Sequence, residues 1–157
     1  VRHRSVRGER GQATVEFAIV IPLLLLLVVG LFEFGKTFNY WLNLNHLANE
    51  GARWAAVDRV PGNQTPTGDD IKAYIRSQIL TGELQTNVGS SGITLCFDGA
   101  SPTQPQVGDA VTVALAAPNP IKLLSDVMNI TIRGKATMRL EQAPTADKLA
   151  GWVKCAS

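Results

Sequence analysis

Cysteine and histidine are scarce in this chain of 157 residues, with two of each. Two cysteines exclude a disulfide-dense miniprotein. Cys96 and Cys155, with no CxxC spacing and only His3 and His46 to join them, leave a metal site poorly supported. A Ser/His/Asp arrangement would have to use His46, which reads as a solvated histidine on a helix face. No Walker loop, GxGxxG, HExxH or GxSxG occurs. No catalytic residue and no cofactor is therefore expected. Nor is there a broad basic face for nucleic acid: of the net charge of +2, residues 1–11 hold +3, from four arginines against Glu9. At 45% apolar residues the chain is too greasy for intrinsic disorder. Asp69, Asp70 and Asp98 read as helix caps and turn residues. Asn63-Gln64-Thr65 and Asn129-Ile130-Thr131 match glycosylation sequons in form only.

What the chain has in excess is one apolar run. From Phe17 to Phe32, fourteen of sixteen residues are apolar and none is charged, while the other 141 residues are about 40% apolar. A membrane crossing takes about 20 residues for about 30 Å of hydrocarbon, so the run reaches full length with Val15, Phe34 and Gly35, if Glu16 and Glu33 are tolerated. The Leu23 to Leu27 pentad has apolar residues on every side, and a helix here has no polar face to show water. We read it as a membrane-inserted helix. Arginines before it, set against Glu33 and Lys36 after it, predict a cytoplasmic N-terminus and an exported C-terminal part. Downstream, FEFGKTFNYWLNLN has no A-x-A-like site, so signal-peptide removal is not expected and the helix persists as an anchor.

Glu16 stands at the edge of this run. A carboxylate inside a span costs about 2.5–3.5 kcal/mol at the bilayer centre and less near an interface. Cost alone does not separate a functional group from one that snorkels to the headgroups. The surrounding GERGQATVEF resembles the leader pattern of type IV pilins and pseudopilins. That resemblance implies a cut between Gly11 and Gln12 by a membrane prepilin peptidase, which makes Glu16 the fifth residue of the product. The new ammonium on Gln12 would then need a counter-charge in a low-dielectric setting, and Glu16 of a neighbouring subunit supplies one. Pro22 removes a backbone donor in mid-span, either as a kink of no wider meaning or as a loosening made good by packed neighbours.

Further along, VEFAIVIPLLLLLVVGLFEFG, with Glu33, is followed by Ala48-Asn49-Glu50-Gly51-Ala52-Arg53-Trp54-Ala55-Ala56. The combination is similar to the TadE-like family, minor-pilin or pseudopilin-like proteins of the tight-adherence (Tad) pilus. Asn49 departs from the arginine expected there. The likeness covers about residues 8 to 57, with Glu33, Glu50, Gly51, Ala52 and Arg53 as its motif residues. It implies a structural subunit acting in pilus assembly and adhesion, in a single-pass topology in the bacterial inner membrane. Its implied partners are other pilin subunits, Tad assembly platform proteins, the prepilin peptidase and membrane lipid. Two rivals remain: an uncut bitopic protein whose exported domain binds another envelope component, and a membrane-anchored enzyme.

The rest of the chain reads as α+β. We divide it into a basic leader (1–11), a transmembrane helix (12–36), a helix continuing the span (37–59) and an extracytoplasmic domain (60–157). Over 37–58, one helical stripe carries Trp41, Asn45, Ala48, Ala52 and Ala55, and an adjoining one carries Leu44, Leu47, Gly51 and Trp54. Asn39, Asn43, His46, Glu50 and Arg53 form the wet side. The small-residue stripe suits close packing, either on the chain's own sheet or on another subunit. After the PGNQTPTG break, Asp69 and Asp70 are placed to cap a short amphipathic helix ending at Gly82. Alternation over 93–97, 107–116 and 130–140 predicts three antiparallel strands, with a crossover at 121–128. In an exported, oxidising space, Cys96 and Cys155 most simply form one bridge from the first strand to the C-terminal tail, worth about 4 kcal/mol in the entropic account. A pilin-like C-terminal disulfide loop is also what the resemblance implies.

Overall fold

A computed structural model describes residues 7–118, 120 and 130–156. The expected crossover at 121–128, the Asn129 sequon and the first six residues lie outside them. The chain divides into two compact units, Val1–Lys36 and Thr37–Ser157. Helix α1 (Arg7–Ala56) contributes to both. In the first unit it is the whole of the described structure. Its helical assignment runs through Pro22 without a break.

The second unit holds the rest: α2 (Gly68–Ser77), α3 (Gly82–Val88) and strands β1 (Ile93–Asp98), β2 (Ala110–Pro118), β3 (Thr131–Arg139) and β4 (Trp152–Lys154). The strands form one sheet in the order β3-β2-β1-β4. The expected antiparallel trio is present, with Leu95 opposite Val113 and Val113 opposite Ala136. The sheet is nevertheless mixed, because the three-residue β4 adds to β1 in parallel, with Leu95 opposite Trp152. So short a strand has no alternation of its own to show in sequence. The Cys96–Cys155 disulfide forms just beyond β4, its Cα atoms 5.0 Å apart, and the Cys155 N–H donates to Phe97 O at 2.9 Å.

One face of the sheet carries Ile93, Leu95, Phe97, Val111, Val113, Leu115, Ala136 and Trp152, all buried. The C-terminal half of α1 joins this core through Tyr40, Leu44, Leu47, Ala48, Ala52 and Ala55, and α2 through Ile71 and Ile75. Small residues bring helix and sheet together. A Cβ on Gly134 would lie 2.5 Å from the Leu44 backbone, so only glycine lets β3 pass beneath the helix there. Leu44, Leu47, Ala48, Gly51, Ala52 and Ala55 are buried as expected, and the stripe departs from the sequence reading at its start. Tyr40 points inward, its hydroxyl donating to Glu83 at 2.9 Å, while Trp41 is left 43% exposed. The opposite face of the sheet is polar, with exposed Arg133, Lys135 and Arg139 and a Thr112–Thr137 hydroxyl pair at 2.8 Å.

The helix ends also correct the sequence reading. Thr67 is the N-cap of α2, and of the two aspartates Asp70 completes its capping box: the Thr67 hydroxyl accepts from Asp70 N–H at 3.2 Å, and the Asp70 carboxylate accepts the Thr67 N–H at 2.9 Å. These bonds, led by that backbone N–H, hold the Asp70 carboxyl below its ordinary range. α2 then stops at Ser77 instead of reaching Gly82. The Thr81 hydroxyl accepts the Leu84 N–H and opens a separate helix, α3, whose two buried positions, Leu84 and Val88, are too few to register as a period.

α1 closes with Asp58 in the left-handed region (φ 50°), where Arg59 N–H reaches Trp54 O at 3.1 Å and Asp58 N–H reaches Ala55 O at 3.3 Å. The chain then reverses at Val60-Pro61-Gly62-Asn63, with Gly62 at φ 84°. Asp58 is 1% exposed, and its partner is Lys148 Nζ at 3.4 Å, from the 3₁₀ turn Ala146–Lys148. Burial raises the Asp58 pKa above 3.8, and the attraction of Lys148 only partly opposes it.

Two outcomes follow from this packing. Gly134→Val is expected to cost about 1–3 kcal/mol, read as a lowered denaturant midpoint of the detergent-solubilised protein. For Asp58, a raised folded pKa means the native state binds this proton more tightly than the unfolded chain, so its contribution improves as pH falls through that pKa. Asn is also at ease at positive φ. Asp58→Asn should therefore raise the thermal midpoint at pH 7, and its advantage should shrink as the pH approaches 4. A variant that is less stable at pH 7 would show that the Lys148 pairing outweighs burial.

Candidate functional site

The surface that sets this chain apart is the N-terminal part of α1. Its most apolar 18-residue window has a mean hydropathy of 2.8, and none of that window is buried within the chain. In the core helix of a soluble protein most of that window would be covered. Here Leu23 to Leu27 are all more than half exposed. This is one helix long and apolar enough to cross a membrane. A continuous helix satisfies its interior backbone groups within itself, which is what a hydrocarbon setting demands, and Pro22 removes one donor from it.

Charged groups bracket the uncharged stretch. At the start, the Gln12 side-chain amide donates to Glu16 Oε1 at 3.1 Å, one turn apart. At the end, Glu33 meets Lys36 Nζ at 3.1 Å. Pairing Glu33 with a cation one turn on reduces the cost of a carboxylate beside the apolar run. Gly11, which precedes Gln12, sits within the helix with open space around it.

The second part of the sequence motif lies in the other unit, and the structure gives its residues separate tasks. Glu50 accepts from Tyr74 OH and from Trp54 Nε1, each at 3.4 Å, and His46 Nδ1 is 3.9 Å away. The Trp54 and Tyr74 rings meet edge to face, with centroids 6.3 Å apart. Desolvation first, and the Glu50 carboxylate second, raise the Tyr74 pKa. Gly51 is a seat: a Cβ there would overlap the Ile75 side chain and come within 3.2 Å of Val113 Cγ1. Ala52 is fully buried beside it, whereas Arg53 faces solvent. Glu50, Gly51 and Ala52 therefore fasten α1 to its own domain, through α2 and the sheet. Of the two destinations left open for the small-residue stripe, the chain's own sheet takes it.

A family model described as TadE-like protein matches residues 11–53. Over this segment, which is less than half of the chain, the sequence is similar to TadE-like proteins. The match takes in the whole apolar run and Glu50-Gly51-Ala52-Arg53, and it stops before α2, α3 and the sheet. No curated protein and no solved structure matches the chain. The matched segment thus takes in both the apolar run and the residues that hold the C-terminal half of α1 against α2 and the sheet.

His46 is exposed and lines two open grooves beside α1. Among the described residues, no group of three or more His, Cys, Asp or Glu side chains could hold a metal ion. Sequence reasoning missed the Asp58–Lys148 pair, because partners 90 residues apart leave no local signal. It also missed Leu80, a leucine 75% exposed between α2 and α3.

The split within the motif is testable by urea unfolding. Glu50→Ala strands the Tyr74 and Trp54 donors and is expected to cost about 1–2 kcal/mol, given that both bonds are long. Arg53→Ala should change stability by less than about 0.5 kcal/mol. Equal losses would mean that Arg53 also fastens the helix.

Proposed function

We propose that this TadE-like chain is a non-catalytic assembly subunit, a minor pilin or pseudopilin acting in biogenesis of a Tad (type IVc) pilus or a related secretion system. The observation that carries the reading is the TadE-like match lying across an apolar helix window that none of the described residues buries. Such a surface needs lipid or other helices around it. In this reading the chain is anchored in the bacterial inner membrane by one pass, N-terminus inside, and subunits associate through the hydrophobic helix. Its partners are other pilin subunits and the Tad assembly platform.

Processing belongs to the same proposal. A prepilin peptidase cuts between Gly11 and Gln12, and Glu16 then faces the new ammonium of a neighbouring subunit and sets the axial register of packed helices. In a low-dielectric setting such a pair is far stronger than in water. One observation favours a second reading, that of an uncut single-pass protein whose exported domain binds another envelope component: the Gln12 amide already gives Glu16 a partner within the chain.

Mass spectrometry of the native product in cells that possess the peptidase separates the two. The pilin-type reading expects a chain beginning at Gln12, and a product that keeps the residues before it would favour the uncut form. Glu16→Ala should preserve membrane insertion while impairing pilus assembly. A silent Glu16→Ala would sink the counter-charge role. His46→Ala should leave every pilus phenotype unchanged.

A further inference from the structure

The second unit leaves four large apolar side chains exposed at the end of the chain segment that joins it to the apolar run. Phe38 is 49% exposed, Trp41 43%, Leu42 47% and Leu80 75%. Phe38, Trp41 and Leu42 are neighbours on the surface of α1, three and four residues apart. The Phe38 and Trp41 rings lie 5.9 Å apart, centroid to centroid, and Leu42 and Leu80 together line an open cavity of about 430 Å³. Two other exposed large apolar residues of this unit, Val107 and Val153, belong to the loop before β2 and to strand β4. Leu80 is the informative member. It follows the buried Ile79 in the turn between α2 and α3, where a polar residue would cost nothing, yet it holds a leucine out to solvent.

We infer that Phe38, Trp41, Leu42 and Leu80 form a foot that seats the exported domain in the interfacial layer of the bilayer. This rests on the proposed membrane insertion of α1. Three features favour lipid as the occupant. First, the chain itself tethers the patch: Trp41 follows Phe34 by seven residues, so at about 3.3–3.6 Å per residue its backbone stays within about 25 Å of the apolar run. Second, the composition is interfacial, because tryptophan and other aromatic rings beside a span prefer the headgroup level. Third, the cavity is lined by the polar Asn39, Asn43, His46 and Gln78 together with Glu50, which Tyr74 and Trp54 already bind, and such groups suit a layer where water and ester oxygens mix with acyl chains. Leu80 thereby gives α2 and α3 their own contact with the membrane, independent of α1. The foot limits how far the domain can tilt away from the bilayer surface.

The test uses the full chain in phosphatidylcholine/phosphatidylglycerol vesicles, with or without a mixture of phosphatidylcholines brominated at shallow and at deep acyl-chain positions. Three variants share a Trp41→Phe background: the background itself, one adding Leu80→Trp and one adding Leu24→Trp. The foot predicts that the Leu80→Trp emission is blue-shifted and that the brominated lipid lowers it about twofold, as for an indole at the interface. Leu80 is largely exposed, so the substitution leaves the core untouched. If Leu24→Trp is quenched and Leu80→Trp is not, the span stands and the foot is overturned. If neither is quenched, the insertion on which the foot depends has failed, and both readings fall. A Leu80→Trp blue shift that appears without quenching and grows with protein density would point to a second copy as the occupant, and would also overturn the foot.

Discussion

The close seating of the C-terminal half of α1 on the sheet is the contact on which the second unit depends. Gly134 lets β3 pass under Leu44, and Gly51 and Ala52 let the helix settle against Ile75 and Val113. At such separations each methyl group matters, because protein interiors are packed like organic crystals and have no slack to absorb an added carbon. Everything else in the unit follows that contact. It turns Tyr40 inward toward Glu83 and Trp41 outward. It also brings Glu50 within reach of Tyr74, and it carries the helix to its end at Asp58, where Lys148 waits on the C-terminal segment.

That C-terminal segment is fastened several times over. Ala56 O accepts from the N–H groups of both Glu141 and Gln142, satisfying a carbonyl that the helix end would otherwise leave open. Lys148 meets Asp58, β4 pairs with β1, and the disulfide closes a sequence separation of 59 residues. Two of these attachments hold the end of α1 and two hold the sheet. The helix that carries the TadE-like segment is thus gripped by parts of the chain that the family likeness does not reach.

One helix therefore answers to two environments. Its first part holds an apolar window that none of the described residues buries, and its second part is committed to a core. The TadE-like match spans both and ends at Arg53. Its motif is correspondingly of two kinds: an apolar run, whose meaning lies in what surrounds the chain, and Glu50-Gly51-Ala52, whose meaning lies within it.

The apolar run, the α+β class and the three main strands were legible in the sequence, because each rests on local composition or on a short period. Fourteen apolar residues among sixteen need no partner to be recognised, and neither does the alternation through Val111, Val113 and Leu115. The TadE-like segment was legible for the same reason, as a string of neighbours. Most of the buried side of α1 was legible too, whereas tertiary structure alone decided that Tyr40 and not Trp41 extends it, that α3 is separate, and that β4 joins the sheet in parallel. Those outcomes turn on contacts between residues far apart in the chain, such as Gly134 with Leu44 and Asp58 with Lys148. A sequence records who is adjacent along the backbone. Only folding decides which distant surfaces are small enough, or charged enough, to meet.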